Sequence, residues 1–107
     1  MDLFNLEDFT NGWLVGNFSP SLLVSENIEV GLKNFVRGAV EPRHFQLTAV
    51  EITLVVSGSC RMGSVILGAG QGLVVQPGEI CDFEALETCS IIAIKSPSAP
   101  NDKVLAE

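Results

Sequence analysis

The chain has no tyrosine, one histidine and one tryptophan, and only six lysine and arginine residues against thirteen aspartates and glutamates. With a net charge of −7 and a pI near 4.5, it has no basic cluster for phosphate backbones or anionic lipid. Nucleic acid and membrane are therefore not expected partners. No stretch approaches the roughly 18 uninterrupted apolar residues that span a bilayer. The opening "MDLFNLEDF" has no basic region followed by an apolar run, so no secretion signal is expected. Three cysteines, an odd number without paired spacing, read as free thiols in a reducing cytoplasm. There is no repeat, low-complexity tract or linker, and 107 residues suit one domain with one modest core.

Apolar residues make up 47% of the chain and come in short runs such as "ITLVV", "GLVV" and "SIIAI", punctuated by glycine and proline. That texture predicts an all-β domain, a barrel or sandwich. Residues 1–24 carry Phe4, Phe9, Trp13 and Phe18, and "FTNGWLVGNFSPS" reads as turn, short strand and turn. In "NIEVGLKNFVRG" the alternation places Ile28, Val30, Leu32 and Val36 on one face, expected to be the buried one, with Glu29 and Lys33 opposite. Residues 51–57 are rich in β-branched side chains, and "SCRMG", "SVILGAG", "GLVVQPG", "ICDFEAL" and "CSIIAIK" each read as a strand. Helix is expected only as a turn near Leu6–Phe9 and in the 96–107 tail, which is ordered only if it docks.

The stretch "RHFQLTAVEITLVVSG" sets His44, Gln46 and Glu51 just ahead of a β-branched run. Its frame resembles the first motif of the cupin family, G-x5-H-x-H-x3-4-E-x6-G. Gly38, His44, Glu51 and Gly58 hold their places over residues 38–58, and Gln46 stands where the second histidine belongs. The second cupin motif, G-x5-P-x-G-x2-H-x3-N, lies over residues 70–85. Gly70 and Gly78 match, Pro77 is one place off, Cys81 replaces the third histidine and Ala85 the asparagine. The flanks also resemble a group of small single-domain bacterial cupins. The resemblance implies a single-domain jelly-roll β-barrel like that of sugar-epimerase cupins, with a pocket at its open end and a degenerate metal site.

Side chains two apart on a strand share a face, so His44 and Gln46 point inward together. In metal-bearing cupins three histidines and a glutamate hold a divalent ion; the set here is His44, Gln46, Glu51 and Cys81. A thiolate ligates zinc or iron well, but a glutamine carbonyl is a weak neutral donor. The mixed set names no single metal among zinc, iron, nickel and manganese. Without a metal, the same residues form a hydrogen-bonded polar network in a ligand pocket, or a purely structural one. Thr53 and Phe83, in phase with Glu51 and Cys81, are the expected pocket neighbours. Trp13 and Phe18 either line the pocket or, as is favoured, close one end of the barrel; Cys60 and Cys89 are expected to pack, and Lys95 to reach solvent. Gly58, Gly70 and Gly78 suit turns with positive φ.

Two functions follow. One is a small cupin binding a small molecule, a sugar or a carboxylated metabolite, without strong metal binding. The other is an isomerase or epimerase that is metal-dependent or uses His44 and Glu51 as acid and base. Against the second, the missing tyrosine removes a proton donor that sugar-epimerase cupins use. Residues 1–24 carry more apolar surface than one small barrel easily hides, so a homodimer built on that segment is expected.

Overall fold

A computed structural model describes residues 1–107. After two single-turn 3-10 helices at Leu6–Asp8 and Thr10–Gly12, ten strands follow: β1 Trp13–Val15, β2 Glu29–Phe35, β3 Val40–Gln46, β4 Val50–Ser57, β5 Ser59–Met62, β6 Val65–Gly68, β7 Gly72–Val75, β8 Cys81–Ala85, β9 Cys89–Ser96 and β10 Lys103–Leu105. They form two five-stranded antiparallel sheets, β1-β2-β9-β4-β7 and β10-β3-β8-β5-β6. The architecture is all-β, as expected, and each glycine-bounded apolar run after residue 58 is a strand. No helix is long and apolar enough to cross a membrane.

The core lies between the sheets toward one end. Val55, Cys60, Met62, Leu67, Phe83, Ala85, Cys89 and Ile91 form one buried cluster, with Phe35 stacked on Phe83 at a ring separation of 4.5 Å. At the other end the inward positions of the first sheet are small. Gly31 of β2 lies beside Ala93 of β9, which lies beside Thr53 of β4. A row of small side chains leaves space between the sheets, and that space is the cavity described below.

The β2 face expectation is overturned. Its inward side chains are Lys33 and Phe35 with Gly31, whereas Ile28 and Val36 are exposed. Register with β9 sets the phase: Phe35, Lys33 and Gly31 pair with Cys89, Ile91 and Ala93, all buried. The outer face of this sheet is itself aliphatic, so apolar periodicity does not reveal which side is in.

The tail docks, and as strand rather than helix. Lys103, Val104 and Leu105 pair with Gln46, Phe45 and His44. Buried Asp102 anchors them by accepting hydrogen bonds from the Thr48 N–H (2.9 Å), the Thr48 hydroxyl (2.7 Å) and the Ala49 N–H (2.9 Å). Burial opposes ionisation of this carboxyl, but the Thr48 and Ala49 donors outweigh it and hold the pKa below the ordinary aspartate value.

Candidate functional site

A cavity of about 980 Å3 opens between the sheets, bounded on the core side by Met62, Phe83 and Ile91. His44, Gln46, Glu51, Thr53, Cys81 and Phe83 all line it. The route by which His44 reaches it is a bulge. Glu41 pairs with Phe83, but His44 rather than Arg43 pairs with Cys81, so β3 carries one extra residue around Pro42. The bulge reverses the inward phase, and Glu41, His44 and Gln46 all line the cavity. Pro42 fits there because a bulged position needs no ladder N–H. Its carbonyl accepts from His44 Nδ1 at 2.9 Å, which places the ring proton on Nδ1 and leaves Nε2 as the acceptor nitrogen.

Gln46, 3% exposed, donates its amide to Glu51 Oε2 at 3.3 Å, the one direct hydrogen bond among the four motif residues. Cys81 donates its thiol to the Asp82 carbonyl at 3.3 Å. Burial pushes that thiol's pKa up, and Asp82 and Glu51 push it further, so the sulfur stays protonated.

Beyond the six expected residues the lining includes Trp13, Lys33, Lys95 and Lys103. The Trp13 indole lies over Gly31, where a Cβ would come within 2.8 Å of the ring. Lys33 Nζ stands 4.1 Å from the ring centroid and Lys95 Nζ 5.0 Å from it. Lys95 therefore lines the cavity instead of simply reaching solvent, and Trp13 walls the cavity instead of capping the barrel. Lys33 is half-buried; desolvation lowers its pKa, with Lys95 and Lys103 adding to the effect against Glu41 and Glu51. The sequence signal for Lys33 and Lys95 was their odd-numbered phase with Gly31 and Ala93, and it became readable only once the strand pairing was known.

No family model matches the chain, and no curated protein matches it by sequence. Solved structures do resemble it. KdgF from Halomonas sp. superposes with a TM-score of 0.67 at 24% identity, over 70% of this chain and 74% of that one. An RmlC-like cupin from Shewanella frigidimarina gives 0.65 at 22%, over 72% and 71%. A conserved protein with a double-stranded β-helix domain from Klebsiella pneumoniae gives 0.69 at 18%, over 100% of this chain and 98% of that one. The fold is a cupin fold.

His44, Gln46, Glu51 and Cys81, the residues that the motif resemblance sets against metal ligands, all line this cavity. No group of three or more His, Cys, Asp and Glu side chains lies close enough together to hold a metal ion. Gln46 turns its amide nitrogen, a donor, toward Glu51, and the Cys81 thiol donates to the Asp82 carbonyl. The residues present do not fit a tightly held divalent ion. What they offer is an acceptor nitrogen on His44, a carboxylate on Glu51, and three ammonium groups on the facing walls.

Proposed function

We propose that the protein binds a small molecule, a sugar or a carboxylated metabolite, in the mouth of its cupin barrel, without a tightly held metal. The observation that carries this reading is the Gln46–Glu51 hydrogen bond: two of the four residues that the motif resemblance sets against metal ligands satisfy each other. Elemental analysis of protein purified without added metal or a histidine tag tests it. Zinc, iron, nickel and manganese are expected well below one equivalent. Gln46→His sets a second imidazole on the same strand face as His44 and should tighten zinc binding roughly tenfold or more. Stoichiometric metal in the unaltered protein would overturn the reading.

A second reading, an isomerase or epimerase with His44 and Glu51 as acid and base, draws support from the His44 tautomer, whose Nε2 is free to accept a proton. Three free cysteines, two of them buried, suit a reducing cytoplasm.

The protein also works, in this proposal, as a homodimer. The outer face of β2, β9, β4 and β7 presents Val30, Leu32, Ile92, Ile94, Ile52, Leu54, Val56 and Val74 with no charged side chain among them. Such a face is self-complementary under a two-fold axis. At ~4.8 Å between strands and ~3.3 Å per residue it measures about 20 Å each way, a projected area of ~400 Å2, about half of the ~800 Å2 each partner gives a standard interface, so side-chain relief and the flanking rim must supply the rest. The N-terminal segment is a weaker surface, because Phe9 and Trp13 face the chain's own cavity. Light scattering with size exclusion is expected to give twice 11.4 kDa for the unaltered chain and 11.4 kDa for Leu54→Arg. Dissociation by Leu23→Ser, with none by Leu54→Arg, would move the interface to residues 1–24.

A further inference from the structure

All three lysines of this acidic chain line one cavity, beside Glu7, Glu41, Glu51, Glu79 and Asp82, and none of its three arginines does. They come from three separate strands. Lys33 lies on β2 and Lys95 on β9, diagonally across the Gly31–Ala93 pair, while Lys103 on β10 stands opposite Gln46. None is in an ion pair; the only ion pairs are those of Arg61 with Asp82 and Glu84. Glu51 is the cross-strand neighbour of Lys95, yet its carboxylate is engaged by Gln46. Lys33 and Lys95 sit within 5.0 Å of the same indole centroid, and their charges oppose one another around a ring that attracts each only weakly.

Glu41 and Glu51 act on Lys33 through the cavity, but no carboxylate stands within ion-pair distance of either half-buried ammonium group, so an anion seated between them would supply the direct contact they lack. Resting on the pocket reading above, we propose that the ligand carries a carboxylate, held by Lys33 and Lys95 beside Trp13, with Lys103 at the rim. The site is not built for phosphate. It offers no arginine fork, and none of the 3-10 turns at its rim is long enough to supply a helix N-terminus. His44 Nε2 and the Glu51 carboxylate are hydrogen-bond acceptors, suited to hydroxyl groups on the rest of the molecule.

Trp13 is the chain's only tryptophan, so its emission reports on the site directly. Succinate, D-glucuronate, D-glucose and inorganic phosphate are titrated against the full chain. Succinate and glucuronate are expected to shift the emission saturably, with glucose and phosphate at least roughly tenfold weaker. Lys33→Met and Lys95→Met should each weaken glucuronate roughly tenfold, and Arg37→Gln, a surface cation outside the cavity, should leave it unchanged. Thermal melts establish that the variants are folded, and Lys33→Gln serves if the methionine variant is not. Equal binding of glucose and glucuronate, tighter binding of phosphate, or carboxylate binding unaffected by both lysine substitutions would overturn the proposal. So would silence from both carboxylates. In that event, amide shifts at Thr53 and His44 on adding glucose would leave the pocket reading standing, and their absence would overturn that reading too.

Discussion

Asp102→Ala is expected to remove about 3–5 kcal/mol of folding stability, although the residue lies in a polar tail far from the core. Its carboxylate is 8% exposed and accepts from two backbone N–H groups and one hydroxyl on the turn between β3 and β4. Hydrogen bonds to a charged group contribute ~1.5–3 kcal/mol each, and truncation strands the buried Ala49 N–H while removing both Thr48 contacts. The same change frees β10 from the edge of β3, the strand that carries His44 and Gln46. Urea unfolding at neutral pH should show a lower midpoint with an unchanged slope. A loss under about 1 kcal/mol would mean that the tail is held by strand pairing alone.

The pH dependence has a definite sign. Because the folded pKa of Asp102 is depressed, its contribution is complete above the unfolded value, about 3.9, and is lost as pH falls through the folded one. The gap between the unaltered protein and Asp102→Ala should therefore be constant above roughly pH 5 and narrow below roughly pH 4. A gap that stays constant down to the acid unfolding transition would show that the carboxylate charge contributes nothing.

Gly58→Ala is expected to cost about 4 kcal/mol, and Gly38→Ala only about 1 kcal/mol. These are the two glycines that bound the first motif, and both have positive φ, +76° and +89°. Gly58 joins β4 to β5 where the chain passes from one sheet to the other. A Cβ there would stand 2.2 Å from the Thr88 carbonyl oxygen and 2.8 Å from Cys89 Cβ, so backbone must move. A Cβ on Gly38 meets nothing within 4 Å, leaving only the left-handed backbone cost. Denaturant midpoints of the two variants decide the point; equal losses would show that conformation alone, and not the close approach, requires glycine at residue 58.

The frame from Gly38 to Gly58 and the glycine-bounded apolar runs made the barrel legible in the sequence, and they put His44, Gln46, Glu51, Thr53, Cys81 and Phe83 around one cavity. Strand phase was not legible. In β2 Val30 and Leu32 alternate with Glu29, Gly31 and Lys33, but both faces of that sheet are apolar over much of their area, so the pattern fits either side. The pairing of Gly31 with Ala93 and the seating of Trp13 on Gly31 decide it, and both are long-range facts. The lysines escaped for the same reason: a charged residue on a strand reads as solvent-facing until a cavity is known to lie behind it. The bulge at Pro42 was hidden as well, since nothing local distinguishes it from an ordinary kink.

The strand order also governs how the chain reaches this state. β9 lies between β2 and β4, so Glu29 finds its partner only when Lys95 exists, and β3 lacks its outer neighbour until Lys103–Leu105 arrive. Contacts this distant along the chain put folding in the millisecond-to-second range typical of all-β topologies. On a ribosome adding ~5–20 residues per second, β2 waits several seconds beside β4 with no strand between them. Throughout that interval aliphatic runs such as "ITLVV" are displayed on open edges, where a neighbouring nascent chain can pair with them. The hazard ends when β9, the strand that keeps the two apart, slots in and closes the sheet.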